Sequence, residues 1–528
     1  MPPGPAAFVD PVRRFADRVL EDARDRFGDV ETGLLADALD PETGDPIPHD
    51  TRDVEDGRLL ANVASQQELL RTLVGLTELT GEERYREAAE DLVAAAFEHL
   101  GDGEGLLYWG GHAAYDLEAD ERTGQPGKTY HELKADYPYY DLLLDVDAER
   151  TRTFVESFWD AHVLEWSKLD FNRHGEFGEP RADPWANEFD ADADVFFWGN
   201  GLTFVNTGSD LYYAAGVLAD RTDDPAPAEW AETLAGRYVA TRQETGIAGY
   251  QFSQKPSWCN GPEILGDRAQ YQFAPYLHGD HLVYEGTLFR PRPYAWERAL
   301  VLGDRLGGRG RGADDETGDE GGDDPIAAVG EQFEQWALEE LRAWREAAYR
   351  PSENTFEPML TDGHSLEGFV VRREGYFGPK GRVVGPIKAD PSILMLYATG
   401  YRVTGAPVCW RMVRDVLAGL GLGDVGDPDE EPELSIPDDR TDLDLLYGLL
   451  ECHRATEQQG FLDAATTVGR NVLDARYRDG LFVRGDVALV GDAAPLALLT
   501  LGAALDDSSD VEAVPTRGER PGVPPGGI

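Results

Sequence analysis

The stretch Ile393–Leu420 reads ILMLYATGYRVTGAPVCWRMVRDVLAGL, and it decides the fold that we predict for this chain of 528 residues. Apolar residues follow a helical pattern over Ile393–Val403 and again over Val408–Leu420. Thr404-Gly405 separates the two patterns, and glycine commonly ends a helix because it adopts the left-handed conformation without strain. The stretch therefore predicts two helices joined by a short turn.

The same unit of helix, turn and helix recurs along the chain. Two further copies are clear: Leu59–Leu79 with Thr80-Gly81 and Glu82–Leu100, and Leu443–Gln458 with Gln459-Gly460 and Phe461–Leu473. Weaker copies are Leu202–Ala219 with Ala228–Arg242, and Tyr294–Leu306 with Ile326–Ala347, and a single helix is predicted for Phe8–Phe27. Such recurring antiparallel pairs predict an all-α fold, an α/α toroid. An open superhelical solenoid is the alternative, but solenoids usually keep a stricter period and lack long inserts.

Long irregular segments interrupt the helical pairs. Residues 101–147, 165–200 and 244–292 are rich in Gly, Pro and aromatic residues, and we expect these loops to build a site at one rim of the toroid. Residues 307–324 and 423–442 are acidic and predict surface inserts within one domain over 1–505. The composition of residues 506–528 predicts a disordered tail.

The chain is strongly acidic. It carries 100 Asp and Glu against 48 Lys and Arg, which gives a formal net charge of −52, and only six of the basic residues are lysines. A content of 41% hydrophobic residues is typical of a folded protein rather than a disordered one. An acidic, lysine-poor surface indicates a halophile, because concentrated salt screens the repulsion between carboxylates. The same charge argues against nucleic acid and anionic membrane surfaces as partners.

Cysteine usage and the N-terminal residues bear on the compartment. Cys259, Cys409 and Cys452 are too few and too distant for a disulfide scaffold, which favours a reducing compartment. The start of the chain lacks the basic and apolar regions of a secretion signal. No apolar run is long enough to span a membrane. We therefore expect a soluble, cytoplasmic protein.

The residues from Trp109 to His174 hold the candidate site. They include His112, Glu132 and His174, with Arg173 directly before the last histidine. Two imidazoles and a carboxylate are the ligands of a metal site that keeps positions open for a substrate. The two separations in sequence are 20 and 42 residues. Spacings as long as these leave a second interpretation open, in which each histidine is a lone buried or surface imidazole.

Other residues of this stretch are assigned less specific roles. His131 and His162 are interpreted as lone imidazoles. Gly110-Gly111, before His112, would let backbone or a ligand approach closely. The aromatic run Tyr137-Pro138-Tyr139-Tyr140 is equally consistent with core packing and with a platform for a sugar ring.

These motifs together resemble polysaccharide lyase family 2, the pectate lyases and pectate disaccharide-lyases. The resemblance rests on Trp-Gly-Gly-His at 109–112, His-Glu-Leu-Lys at 131–134, Tyr-Pro-Tyr-Tyr at 137–140 and Arg-His at 173–174. It implies an (α/α)7 barrel and β-elimination of 1,4-linked galacturonate, with exo action expected. It also implies a divalent ion, typically Mn²⁺, bound by His112, Glu132 and His174.

The resemblance further implies that Arg173 is the catalytic base. A guanidinium is normally always protonated, so a carboxylate clamp is the alternative role for this residue. Because lysines are scarce, those that remain are candidates for substrate binding. We single out Lys134 and Lys255, together with Arg268 and the potential stacking residue Trp258. Each could equally be an ordinary surface cation, a member of an ion pair or a packed ring.

Two other classes of function remain open at the level of sequence. One is another carbohydrate enzyme on an α/α toroid, either an unsaturated glucuronyl hydrolase or a sugar 2-epimerase, which would use acids or histidines as proton carriers. The other is a non-catalytic protein that binds oligouronides. Loss of activity on chelation and recovery with Mn²⁺ would separate the lyase from the other enzymes. A rise in ultraviolet absorbance from an unsaturated product would separate it from the binding protein.

Overall fold

The computed structural model describes residues 4–506 apart from 50–56, 126, 128, 134–136, 194–202, 243, 249–250, 253–292, 312–323, 360–362, 364 and 371–380. The α-helices in the described residues are α1 Ala6–Asp22, α2 Gln67–Thr80, α3 Arg84–His99, α4 Tyr140–Val146, α5 Ala148–His162, α6 Val205–Thr222, α7 Pro225–Val239, α8 Pro293–Arg311, α9 Pro325–Ala343, α10 Pro391–Thr404, α11 Pro407–Gly419, α12 Leu443–Thr456, α13 Gln459–Arg476 and α14 Ala494–Asp506.

These helices form two concentric layers. The even-numbered helices from α4 to α14 contact one another in chain order, α14 contacts α2, and α3 links α2 to α4. Each odd-numbered helix packs against a neighbouring even-numbered helix, and α1 packs against α14. The described residues thus contain seven helix pairs in a closed ring. The predicted (α/α)7 toroid is confirmed, and the open solenoid is excluded because the last pair contacts the first.

Burial explains which layer each helix occupies. In α14 every residue from Ala494 to Ala503 is buried, and in α10 every residue from Ser392 to Gly400 is buried. Helix α1 buries only a stripe that includes Phe8, Val12 and Phe15. A helix that is buried all round lies inside a protein, whereas one with a single apolar stripe covers the core from outside. The sequences of these three helices therefore match their positions in the ring.

The predicted helix boundaries are correct where a glycine ends the helix. Gly81 and Gly405 adopt φ values of 71° and 62° after α2 and α10, in the left-handed conformation that such caps require. The turn predicted at Gln459-Gly460 is wrong, because α12 ends at Thr456 with the left-handed Glu457 as its cap, and α13 begins at Gln459. Leu59–Leu79 is only partly helical, since Leu60–Ala61 forms a strand that pairs with Tyr115 and Asp116.

Short strands lie between the helices along the chain. The strands are β1 Ala38–Leu39, β2 Leu60–Ala61, β3 Ala113–Asp116, β4 Glu121–Gly124, β5 Val163–Glu165, β6 Asp170–Phe171, β7 Thr203–Phe204, β8 Gln251–Phe252, β9 Tyr349–Arg350, β10 Thr355–Phe356, β11 Ile387–Lys388, β12 Gly423–Asp424, β13 Glu433–Leu434, β14 Tyr477–Arg478, β15 Leu481–Arg484 and β16 Val487–Leu489. They pair in antiparallel ladders, the largest of which has the order β1-β16-β15-β14.

The inserts and the tail are described in part. Residues 307–311 belong to α8, and the rest of the 307–324 insert lies mostly outside the described residues. The 423–442 insert contains the two-stranded ribbon of β12 and β13. Residues 507–528 lie outside the described residues. Among the helices that the structure describes, none combines the length and apolar composition needed to cross a bilayer.

Candidate metal centre

The segment before His112 is held against Glu132 by backbone pairing. Gly110 forms a parallel bridge with Glu132, and the Gly111 N–H donates to Glu132 O at 2.7 Å. Gly110 has a φ of 97°, and a Cβ on either glycine would collide with Glu132. A side chain at Gly111 would displace the Glu132 carboxylate, and one at Gly110 would displace the Glu132 backbone. The sequence predicts a close approach at Gly110-Gly111, and the residue that approaches these glycines is Glu132.

A second pairing sets Glu132 opposite His174. His131 and Gly175 exchange two backbone hydrogen bonds, N–H to O at 2.9 Å in each direction. In an antiparallel pair of this kind, the next residues along the two segments face each other with their side chains on one side. Glu132 and His174 are those residues. The local backbone thus brings together two side chains that lie 42 residues apart in sequence.

The three candidate ligands converge on one point. Each offers one ligand atom, and these atoms all lie within 4.8 Å of one another. Glu132 Oε2 lies 3.2 Å from His112 Nε2, and Glu132 Oε1 lies 3.9 Å from His174 Nε2. The carboxylate thus turns one oxygen toward each imidazole. His112 and Glu132 are buried, whereas the His174 side chain is 20% exposed, so the centre is reached from the side of His174.

The environment of His174 suits a neutral metal ligand. Burial lowers the pKa of its imidazole to about 3, although Glu132 opposes the shift. Its Nε2 atom is buried and has no hydrogen-bond partner within the described part of the chain. Tyr130 stacks on the ring with centroids 5.1 Å apart and planes at 10°. A neutral, oriented imidazole with an unused lone pair fits the donor set of a divalent ion. Sequence reasoning missed Tyr130.

Arg173 lies at the same centre. The residue is only 6% exposed, and its Nη1 atom lies 3.6 Å from Glu132 Oε1. Its guanidinium and the His174 imidazole therefore approach the same carboxylate from consecutive positions in the chain. The Asn172 carboxamide accepts a hydrogen bond from the His174 N–H at 3.3 Å, which helps to hold this turn. The structure brings together all four residues named from the sequence for the metal and the base.

The four predicted substrate-binding residues are not part of this description. Lys134, Lys255, Trp258 and Arg268 lie outside the described residues. The aromatic run at 137–140 is described, and its three tyrosines are buried with exposures of 8% or less. Tyr137 also shares a 2.6 Å hydrogen bond with Ser209. Of the two interpretations of this run, the structure supports core packing.

The interpretation of His131 and His162 as lone imidazoles is wrong. Both rings are fully buried, and His131 Nδ1 lies 2.9 Å from His162 Nε2. Burial lowers the pKa of His162 to about 4, against the opposing hydrogen bond to Asn172 O. Their spacing of 31 residues gives no sign of a contact, which depends on the end of α5 lying beside the 131–132 segment.

Comparison with known proteins identifies the family. The family model described as periplasmic pectate lyase matches residues 32–526. The chain belongs to this family of pectate lyases. The pectate disaccharide-lyase of Dickeya dadantii (strain 3937) is 30% identical, over 92% of this chain and 88% of that protein. The predicted resemblance is thereby confirmed over nearly the whole chain, and this pectate lyase family member is a polysaccharide lyase.

Solved structures with similar architecture have low sequence identity. A D-mannose isomerase is 10% identical with a TM-score of 0.43, over 80% of this chain and 88% of that one. A cellobiose 2-epimerase from Bacillus thermoamylovorans B4167 is 11% identical with a TM-score of 0.42, over 94% and 99%. A family 76 glycoside hydrolase from a bovine Bacteroides thetaiotaomicron strain is 11% identical with a TM-score of 0.44, over 95% and 78%.

Membership in the pectate lyase family decides between the classes of function left open by the sequence. A polysaccharide lyase is neither a glucuronyl hydrolase nor a sugar 2-epimerase, and it is not a passive binding protein. The family description names the periplasm, whereas the sequence predicts a cytoplasmic location. That location remains a prediction.

Proposed function

We propose that this pectate lyase family member cleaves 1,4-linked polygalacturonate or oligogalacturonides by metal-assisted β-elimination. The observation that carries the proposal is the convergence of His112, Glu132 and His174 within 4.8 Å. Two imidazoles and one carboxylate leave coordination positions open for substrate oxygens, and Mn²⁺ is the ion that we assign. The name of the 30% identical relative, pectate disaccharide-lyase, supports release of disaccharides and thus exo action.

The reaction requires removal of the C5 proton, which is α to the C6 carboxylate of a galacturonate unit. The C5–H electron pair forms the C4=C5 double bond while the C4–O4 bond breaks, and O4 leaves with its electrons and takes up a proton. When bound, the divalent ion would supply positive charge that stabilises the anion developing on the uronate carboxylate.

The residues of this chain supply the remaining functions. Arg173 is the proposed base, because its Nη1 atom lies beside the carboxylate of Glu132, where a substrate that reaches the centre would meet it. His174 borders the accessible side of the centre, and Tyr130 stacks on its ring and fixes its plane. Buried His112 and Glu132 form the closed side, which limits the access of water to the reacting carbon.

A single assay tests this function. Purified protein is incubated with polygalacturonate in multimolar salt, with and without EDTA, and ultraviolet absorbance is followed. We expect an increase from the unsaturated uronate, its loss with EDTA and its recovery with Mn²⁺. The variant His112→Ala should lose bound Mn²⁺ and activity together, whereas His99→Gln, on the outer helix α3, should keep both. An increase that EDTA does not affect would rule out the role of the ion, and no increase at all would rule out elimination on polygalacturonate.

We infer in addition that the enzyme works in concentrated salt, inside the cell, on imported oligogalacturonides. The acidic, lysine-poor composition supports the salt requirement. Fractionation of cells that express the native gene tests the location. Activity found mainly in the periplasm or the medium would overturn the cytoplasmic assignment, and the distribution of products by chain length would separate exo from endo action.

A further inference from the structure

Four polar groups form a continuous line through the aromatic core behind the metal centre. Trp109 Nε1 donates to His131 Nε2 at 3.3 Å, and His131 Nδ1 lies 2.9 Å from His162 Nε2. His162 Nδ1 in turn lies 2.8 Å from the carbonyl oxygen of Asn172. We call this line, Trp109–His131–His162–Asn172, the imidazole file. Both histidines in the file are fully buried.

The two ends of the file set its proton order. An indole N–H can only donate and a carbonyl oxygen can only accept, whereas a neutral imidazole has one donor and one acceptor. His131 must accept at Nε2 from Trp109, so its proton lies on Nδ1 and is donated to His162 Nε2. His162 then carries its proton on Nδ1 and donates it to Asn172 O. One arrangement of two neutral rings satisfies every group in the file.

Apolar rings enclose the file on its sides. Phe158 contacts both imidazoles, with centroids 5.2 Å from His131 and 4.8 Å from His162, and Phe154 lies 5.8 Å from His131. A buried polar group that loses its partner inside such walls costs free energy, because water does not replace the hydrogen bond. The file therefore resists any shift of the segments that it joins.

Those segments are the ones that carry the candidate site. Trp109 lies three residues before His112, and His131 directly precedes Glu132. Asn172 lies two residues before His174, with Arg173 between them. His162 is the last residue of α5, so the file also ties these loops to the rigid ring of helices. Every segment of the site is thus anchored to one buried line of hydrogen bonds.

We propose that His131 and His162 are positioning residues, which hold the three ligand segments at ion-binding spacing before an ion is bound. This inference rests on the metal site of the proposed function. The histidines act through the backbone of their neighbours and touch neither the ion nor the substrate. Partners behind metal ligands typically change metal affinity by 10- to 100-fold when they are removed.

Mn²⁺ titration of the metal-free full-length protein tests the inference. His162→Leu removes the two hydrogen bonds of this ring, and we expect it to weaken Mn²⁺ binding about 10- to 100-fold. His162→Gln keeps an acceptor and an N–H donor on one amide and should recover most of the affinity. Phe158→Leu, one turn earlier on α5, removes packing against both rings but no hydrogen bond, and it should change affinity only a few-fold.

The outcomes separate the inference from the proposed function. Wild-type protein that does not bind Mn²⁺ would refute the metal site and the positioning role together. If the wild-type protein binds Mn²⁺, and the His162→Leu and Phe158→Leu variants bind it with equal affinity, the positioning role alone is refuted. Nitrogen NMR of the wild-type protein without metal reads the tautomers directly, even if a variant does not fold. We expect the proton on Nδ1 of both rings, and the opposite tautomer in either ring would overturn the file.

Discussion

Asn62 and Gly110 are joined by two hydrogen bonds between a buried side-chain amide and the backbone. The Gly110 N–H donates to Asn62 Oδ1 at 2.9 Å, and Asn62 Nδ2 donates to Gly110 O at 2.7 Å. The Asn62 N–H in turn donates to Asp37 Oδ1 at 3.0 Å. Because Gly110 lies two residues before His112, this pairing holds the first ligand segment in addition to the bridge between Gly110 and Glu132.

Replacing Asn62 by alanine should therefore damage both stability and the site. Two buried backbone groups would lose their partners, and we expect the free energy of unfolding to fall by about 2–4 kcal/mol. Mn²⁺ affinity should fall with it, measured by urea unfolding and metal titration. Ser65→Ala is the matched control, since Ser65 Oγ donates to Asn62 O at 2.8 Å and carries no part of the Gly110 pairing. Unchanged affinity in Asn62→Ala would show that the pairing does not position His112.

The role of Arg173 can be read from its kinetics. If Arg173 is the base, the Arg173→Ala variant should lose elimination while its Mn²⁺ content and oligogalacturonate binding stay close to wild type. If Arg173 is a carboxylate clamp, the same variant should bind substrate more weakly but still turn it over at saturating concentration. Arg150→Ala, on the exposed face of α5, is the control for loss of one positive charge. A near-normal maximal rate in Arg173→Ala would exclude the base.

The carboxyl group of Asp141 should make the free energy of unfolding depend on pH. Its carboxylate contacts Arg305 at 2.7 and 2.8 Å and Arg221 at 2.7 Å. Burial alone would raise the pKa of Asp141, but the two arginines outweigh it and lower the pKa to about 2, from 3.8. The folded-state value is the lower one, so the stabilisation is present above pH 4 and is lost as the pH falls through 2.

Urea unfolding at a series of pH values measures this contribution. Wild type should exceed Asp141→Asn by about 2 kcal/mol near neutral pH, and the difference should vanish below pH 2. Asp145→Asn is the comparison, because Asp145 contacts Arg86 and Arg221 but is 39% exposed, and exposed pairs contribute about 1 kcal/mol or less. A difference for Asp141→Asn that stays constant down to pH 2 would contradict the assignment.

Salt should stabilise the folded chain. A net charge of −52 produces repulsion that ions screen, so dilution into low ionic strength should unfold the protein. Circular dichroism at decreasing salt concentration follows the transition, with a neutral osmolyte at equal osmolality as the control. Full stability at low ionic strength would contradict the halophilic interpretation.

Local signals in the sequence predicted most helices of the ring, but not α4, α5 and α14. Continuous apolar runs mark inner helices such as α10, and the glycines at 81 and 405 end their helices where the sequence predicts. The sequence does not predict the pair α4 and α5, because α4 is short and no glycine separates the two helices. Instead, Asp147 caps α5 by accepting from the Arg150 N–H at 2.9 Å. A capping carboxylate is a weaker signal than a glycine in a long acidic sequence.

Tertiary contacts overrode the local signal at Gly460. This glycine predicts a turn, yet it lies inside the first turn of α13, where a Cβ would stand 2.6 Å from Pro432 O. The turn falls instead on Glu457, with a φ of 59°. Close approach between segments and a left-handed turn both select glycine, and a single sequence does not distinguish the two causes.

The sequence determined which residue types stand near His112, and the family resemblance picked out the ligand candidates. Only the tertiary structure decided that Glu132 faces His174, because the backbone exchange between His131 and Gly175 sets that register. It alone revealed the contact between His131 and His162. Hydrogen bonds between segments tens of residues apart leave no periodic trace in a sequence, since each partner satisfies a local pattern of its own. Local sequence patterns therefore predict the helices of the fold, whereas hydrogen bonds between distant segments form the metal centre.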